Sequence, residues 1–338
     1  MSRQAEKRTT YDTPEELMKL SRNFMGSRIL LSAAELHLFA LLNQASLTVE
    51  EISDRLHTDK RATAILLDAL ASLGLLVKSN ESYQCPPALA PYLSDGDPKS
   101  IMPMVLHAAH LWRRWSDLTA IVRGETTPGT GTGPFFNPEE MKAFIGAMHA
   151  VSAPQAEEII KEINPSLSKT LLDVGGASGT YTLAFLRYSP EMKATLFDKP
   201  EVMEMARERL EREGMLNRVS LIGGDYNHDK FPPGHDLAFL SAIIHANSSE
   251  ENIDLYKNVF RSLIPGGRIV IRDHVMEADR IHPEAGAIFA VNMLVATEGG
   301  QTYTFDEIRT GLLQAGFKNI RLVKKSERMD GIVEAFKP

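Results

Sequence analysis

The 338-residue sequence predicts an α/β protein on a doubly wound, mostly parallel sheet, with a separate all-α module ahead of it. Three observations carry this. A short apolar run, Leu171-Leu172, closes at Asp173 and leads into Gly175, Gly176 and Gly179. Two further strand-like runs, 194–197 and 219–222, are each followed by an acidic residue, Asp198 and Asp225. From Thr170 onward strand and helix patterns alternate, which implies a parallel sheet with helices on both faces.

A Gly-rich turn from strand to helix is the nucleotide-binding corner of such a sheet. Gly175, Gly176 and Gly179 let the backbone turn tightly and approach a ligand with no Cβ in the way. Asp198 stands at the distance from that turn at which a carboxylate accepts both hydroxyls of a ribose. Asp225 sets a third carboxylate on the same edge, where an adenine amino group can be held. A dinucleotide enzyme has the first two features but no need of the third.

Composition narrows the classes. The net charge of −7 weighs against nucleic acid as a partner. The single cysteine, Cys85, excludes an intrachain disulfide and any Cys-based metal cluster, so no metal is expected and a reducing, cytoplasmic setting is. Residues 1–16 are polar and lack the apolar core of a signal peptide. The longest apolar runs are interrupted by Glu35, His37 or Asp68, so no membrane span is expected.

In chain order, residues 1–12 read as frayed. Thr13 caps a helix that has Pro14 in its first turn. Residues 27–42 read as one helix, apolar over more than one face and so buried in its own domain or against a second subunit. Thr48 and Glu51 form a capping box for the next helix. Residues 59–73 form a longer helix ending at Gly74, and 75–77 and 83–85 a short hairpin. Helix, turn, helix and hairpin make a winged helix. Residues 1–100 hold 11 Lys and Arg against 13 Asp and Glu. A DNA reader is basic on this unit, so the module reads as one for dimerisation.

Residues 101–163 read as a helical connector: a helix over 101–122, a Gly/Thr/Pro-rich loop over 123–138, and a helix over 138–163. Phe144, Met148 and Val151 share one stripe of the last, which reads as core more readily than as pocket. Residues 164–338 form the third region. After the three strands above come a strand over 236–241, a helix over 250–263, a break at Pro265-Gly266-Gly267 and a strand over 268–273. A helix over 305–315 follows, and the runs 320–323 and 332–336 close the sheet as an antiparallel hairpin.

Three acidic strand ends after one Gly-rich turn resemble the S-adenosylmethionine-dependent methyltransferases. The order winged helix, connector, sheet resembles their small-molecule O-methyltransferases of the caffeate and hydroxyindole type, including bacterial relatives. The telling stretches are 172–179, Gly224-Asp225, 263–271, Gly299-Gly300 before Thr304, and 110–115 with Arg123-Gly124 behind it. The fold implied is a Rossmann-like class I methyltransferase sheet. The activity implied is transfer of a methyl group from S-adenosyl-L-methionine, with S-adenosyl-L-homocysteine as product, to a small, aromatic hydroxyl acceptor.

The resemblance also assigns residues. It makes His245, just after the fourth strand, the general base and Asp273, at the end of the fifth, its orienting acid. Cofactor binding falls to Asp173, Gly175, Gly176, Asp198, Asp225, Tyr226, Ser241 and Ser152, and the acceptor pocket to Trp115, Phe144, Met148, Met293 and Thr302. It implies a homodimer through the N-terminal domain, with no nucleic acid and no membrane. The chain departs from the family at four points. Ala246 and Asn247 replace an acidic and an aromatic residue, Thr302 stands where a second carboxylate is usual, Ala177 replaces a glycine, and Ser241 replaces a lysine. Three rival readings follow: a protein of the same fold that binds the cofactor without transferring methyl, a methyltransferase acting on nitrogen or carbon, and a nicotinamide dehydrogenase.

Overall fold

The computed structural model describes residues 11–94, 96, 97, 99–128 and 138–338. Most of the expected 1–12 tail and the greater part of the 123–138 loop therefore lie outside the described residues. The chain divides into two compact units, Met1–His110 and Leu111–Pro338.

The first unit opens with α1 (Pro14–Arg22), whose N-cap Thr13 and Glu16 form a reciprocal capping box. The single apolar helix expected over 27–42 is two, α2 (Phe24–Glu35) and α3 (Leu38–Leu42), because His37 takes a left-handed φ of 55°. Strand β1 (Leu47–Thr48) leads into α4 (Val49–Leu56), where Thr48 and Glu51 make the expected box. Asp59 caps α5 (Lys60–Ser72). Strands β2 (Val77–Ser79) and β3 (Ser82–Gln84) form the hairpin, and β1 joins it to give the order β1-β3-β2, so the unit is not all helix. Its core is Leu38, Phe39, Leu42, Ile52, Leu67, Leu70 and Tyr83, all at most 1% exposed. The Tyr83 hydroxyl donates to Asp68, which also accepts from Lys78.

Helix α6 (Met102–Trp115) and α7 (Leu118–Val122) replace the single helix expected over 101–122. The expected 138–163 helix is likewise two, α8 (Pro138–Ser152) and α9 (Ala156–Ile163), joined by a 3-10 turn that holds Pro154. Proline lacks the amide that would continue the helix ladder.

The sheet follows as β4 (Thr170–Val174), α10 (Thr180–Tyr188), β5 (Lys193–Asp198), α11 (Met203–Arg212), β6 (Val219–Gly223), β7 (His235–Ser241), α12 (Ser249–Ser262) and β8 (Leu263–Asp273). The Pro265-Gly266-Gly267 break lies inside β8 rather than before it. Then come β9 (Val275–Met276), α13 (Glu284–Ala296), β10 (Tyr303–Thr304), α14 (Phe305–Gln314), β11 (Lys318–Lys324) and β12 (Gly331–Phe336). Helix α13 is an element that the sequence reading did not anticipate.

The seven strands lie in the order β11-β12-β8-β7-β4-β5-β6, with β12 antiparallel to β8 and β11 antiparallel to β12. The other pairings are parallel. Chain order reverses at β4, where β5 lies on one side and β7 on the other, and ligands of such sheets bind at that switch point outside the strands' carboxyl ends. On one face α9 and α10 bury Ile159, Ile160, Phe185, Phe239 and Val270. On the other, α12 and α14 bury Leu255, Tyr256, Val259, Leu312 and Phe317.

Candidate active site

Strands β4, β5 and β6 are neighbours, so the Gly-rich turn, Asp198 and Asp225 line one carboxyl edge. Gly175 has φ of +66°, and a Cβ there would run into the end of the Ile243 side chain. A Cβ on Gly176 would stand 2.7 Å from Leu196 Cγ and 3.0 Å from Asp173 Oδ2. The two glycines let this turn pass close over the strand ends. Ala177, in the family's glycine position, also takes a left-handed φ of 48°.

One carboxylate holds the turn and a second lies buried beneath it. Asp198 Oδ2 accepts the Ala177 amide at 2.8 Å and Oδ1 accepts that of Lys199 at 2.7 Å. Burial pushes the Asp198 carboxyl above its ordinary range, against the pull of those amides. Asp173 is 1% exposed and accepts from the Thr182 hydroxyl at 2.5 Å. Burial raises its carboxyl from 3.8 to about 7, and the nearby Asp198 adds to the rise while the Thr182 hydrogen bond opposes it.

Asp225 lies two residues past β6, where its Oδ1 accepts the Asn227 amide. Tyr226 is partly buried against the core beside it, its phenol held un-ionised by burial and by the charges of Asp198 and Asp225. Ser241 ends β7, and its hydroxyl accepts from Arg272 Nη1 at 3.1 Å. Ser152 ends α8, and its hydroxyl approaches that of Tyr181 in α10 without completing a hydrogen bond.

His245 sits in a 3-10 turn just past β7. Its Nδ1 lies 2.9 Å from both oxygens of Asp273, the last residue of β8, and both residues are buried. With Nδ1 donating to that carboxylate, Nε2 keeps a lone pair. The turn itself is pinned. Asn252 Nδ2 donates to the Ile244 carbonyl at 2.8 Å, and the Tyr303 hydroxyl donates to that of Asn247 at 2.5 Å. A Cβ on Gly300 would stand 2.6 Å from the His245 carbonyl oxygen, so the Gly299-Gly300 pair lets the chain close against this turn. Asn247, where the family has an aromatic residue, is buried and bonded to Asn252 and Asn227.

Helix α13 covers the imidazole. The Phe289 ring meets His245 edge-on at 4.7 Å and His274 at 5.1 Å. Burial holds His274 below the ordinary histidine range. Met293, one turn further along α13, is buried. Trp115 Nε1 donates to Asn292 Oδ1 at 3.0 Å, which ties the end of α6 to this helix. Thr302 is 2% exposed. Phe144 and Met148 are half-buried on α8, whose buried positions are Ala143, Ile145 and Ala147. The Phe144-Met148-Val151 stripe is therefore not core, and Val151 is 47% exposed.

The structure thus gathers Asp173, Gly175, Gly176, Asp198, Asp225, Tyr226 and Ser241 along one edge and pairs His245 with Asp273. Phe289, Asn292 and His274 are additions that no sequence pattern pointed to.

The Gly-rich turn and its carboxylates thus lie on the carboxyl edge of a doubly wound sheet, beside a carboxylate-paired imidazole. Comparison with known proteins gives the family. Residues 115–318 match the O-methyltransferase domain, and residues 18–90 match the O-methyltransferase dimerisation domain. The tetracenomycin polyketide synthesis 8-O-methyl transferase of Streptomyces glaucescens is 30% identical, over 91% of this chain and 92% of that one. The 3-hydroxy-5-methyl-1-naphthoate 3-O-methyltransferase of Streptomyces sahachiroi is 28% identical, over 96% and 95%. Human N-acetylserotonin methyltransferase, solved in complex with S-adenosylmethionine, superposes with a TM-score of 0.83 at 25% identity, covering 97% of this chain and 99% of that one. The chain belongs to the O-methyltransferase family. It is an S-adenosylmethionine-dependent enzyme of that family.

Proposed function

We propose that this enzyme methylates a hydroxyl of a small aromatic acceptor, with His245 as the general base. The His245–Asp273 pair carries this reading: a buried imidazole, fixed through Nδ1, with an aromatic ring edge-on beside it. Both O-methyltransferase relatives above are named for aromatic or polyketide substrates, in keeping with that surface.

Bound S-adenosylmethionine supplies a methyl group already activated on a sulfonium. The chain must hold the acceptor oxygen in line with that carbon, exclude water and remove one proton. A phenol with pKa of about 10 is mostly protonated at neutral pH, and its anion is the better nucleophile. His245 Nε2 accepts that proton, and Asp273 steadies the imidazolium. Gly175 and Gly176 admit the methionine portion, with Asp173, Ser241 and Ser152 beside it. Asp198 takes the ribose hydroxyls, and Asp225 with Tyr226 takes the adenine. Trp115, Phe144, Met148, Met293 and Thr302, within residues 111–338, shape the acceptor pocket, to which we add Phe289 and Asn292. The residues fit the cofactor on a structural ground: Ser178 in the Gly-rich turn and Arg272 at the end of β8 each bury a polar atom, Oγ and Nε, that has no hydrogen-bond partner.

The N-terminal module reads as a winged helix that dimerises. Helix α1 buries no residue of its own, and Leu17, Met18, Leu20 and Met25 are exposed, a surface suited to a second copy. A cytoplasmic location suits the free, buried thiol of Cys85. The function is tested by offering phenols and naphthols with methyl-labelled cofactor. Label in O-methyl products is expected; label confined to nitrogen or carbon products, or no transfer to any acceptor, contradicts the reading.

A further inference from the structure

Arg272 has a chemistry that the proton-transfer pair does not use. It precedes Asp273 on β8, so the two side chains leave opposite faces of the sheet. Asp273 meets His245, whereas Arg272 lies over the α10 face with its Cζ 5.2 Å from the centre of the Tyr181 ring. The residue is 3% exposed. Its Nη1 donates to Ser241 Oγ at 3.1 Å, and its buried Nε has no partner. Among the described residues no carboxylate forms an ion pair with it. Asp330 feels its charge but is bonded to Lys324 at 2.9 Å and to Ser326.

A buried guanidinium with one neutral partner is costly, since its desolvation is repaid only by an opposite charge and further hydrogen bonds. Register locates where that charge arrives. Ser241 pairs with Arg272 across β7 and β8, and Val174 pairs with Leu240 across β4 and β7. The next step along those strands brings Ser241 beside Gly175, at the start of the Gly-rich turn. Arg272, Ser241 and Gly175 thus form a row at the sheet's carboxyl edge, with the orphaned Tyr181 hydroxyl alongside. The acceptor's proton leaves on the other face, at His245. An anion for Arg272 therefore comes from the cofactor's amino-acid tail rather than from the acceptor.

We propose that Arg272 binds the α-carboxylate of the methionine portion of S-adenosylmethionine, reaching it from β8 across Ser241. The assignment rests on the Gly-rich corner being the cofactor site. A planar guanidinium with several free N–H groups suits a carboxylate, and a charged pair of this kind forms strong hydrogen bonds.

Calorimetry with S-adenosylhomocysteine and with methylthioadenosine, which keeps the nucleoside but lacks the tail, tests it. Arg272→Met should weaken S-adenosylhomocysteine roughly 10- to 100-fold, the loss of a charged hydrogen bond. Its affinity for methylthioadenosine should hold within about twofold, because no charged bond is lost there. Adding Ser241→Lys should restore the preference by returning a cation to the row. Equal losses for both ligands, or none for either, overturn the proposal. The parent enzyme gives a second measurement that needs no variant to fold. It should bind S-adenosylhomocysteine at least about tenfold more tightly than the analogue whose carboxylate is an amide. Equal affinity for those two overturns the Arg272 assignment alone, whereas a parent that binds no nucleoside ligand overturns the cofactor corner itself.

Discussion

Gly175→Ala loads two separate strains onto the cofactor corner. The first is conformational. Gly175 has φ of +66°, and a left-handed residue with a Cβ costs about 1–2 kcal/mol. The second is steric. The new methyl overlaps Ile243 Cδ1 and lies 3.1 Å from Cγ1, within a buried side chain. Cδ1 is the free end of a flexible chain, so the contact relaxes by a rotamer change, with an overpacking cost of about 1–3 kcal/mol. Together these destabilise the ligand-free enzyme by about 2–5 kcal/mol. Ile243→Val removes the overlapping carbon and leaves the backbone strain untouched. In that background Gly175→Ala should cost about 1 kcal/mol less, a coupling that a double-mutant cycle resolves. Urea unfolding followed by circular dichroism supplies all four stabilities. A cost under about 0.5 kcal/mol, or strict additivity with Ile243→Val, refutes the reasoning. The displaced Ile243 is two residues from His245, so the variant's methyl transfer should also fall.

Two carboxylates give further, distinct outcomes. Asp198 anchors the Ala177 amide and is assigned the ribose, with charged hydrogen bonds worth roughly 1.5–3 kcal/mol each. Asp198→Ala should weaken S-adenosylmethionine binding at least about tenfold by calorimetry, and unchanged affinity contradicts the ribose assignment. Asp173, raised from 3.8 to about 7, binds its proton more tightly folded than unfolded. Stability is therefore full below the unfolded value and falls as pH rises between those two values. At about 1.4 kcal/mol per pH unit the loss is bounded at about 4 kcal/mol. Asp173→Asn cannot ionise, so above neutral pH its ligand-free melting temperature should exceed the parent's, with the gap closing in acid; a gap that ignores pH counts against the assignment.

How far the sequence could be read depended on how local each signal is. The strand edge proposed for the cofactor was legible as a piece of structure because its parts, the glycines after β4, the acidic residue that ends β5 and the one beyond β6, are each set by a few neighbouring residues. The Thr13–Glu16 and Thr48–Glu51 caps were legible for the same reason. Helix breaks were less so. His37 turns the chain with neither glycine nor proline, and α6 ends at Trp115 with Ser116-Asp117 as the only hint. Helix α13 went unseen because its sequence, EAGAIFAVNMLVA, is apolar on every side and offers no stripe to read. With it went Phe289 and Asn292. Arg272 and Ser241 are 31 residues apart, and register alone makes them neighbours. Such pairs follow from strand order, which no local pattern reports.

The proposed chemistry turns on His245 removing the acceptor's proton. Its most direct test is the single-turnover rate of methyl transfer by His245→Ala, measured across acceptors of graded phenolic acidity from about pH 6 to about pH 9. A loss of roughly 10²–10⁴ is expected with an ordinary phenol, shrinking as pH rises and for acceptors that arrive already ionised, with cofactor affinity near the parent's. Asp273→Asn should lose less, because it removes the orienting charge and keeps a hydrogen-bonding side chain. Ala246 offers no neighbouring carboxylate to substitute for the imidazole. Transfer to an unactivated phenol at the parent rate across that range contradicts the claim, and the proton would then leave by a route that does not involve His245.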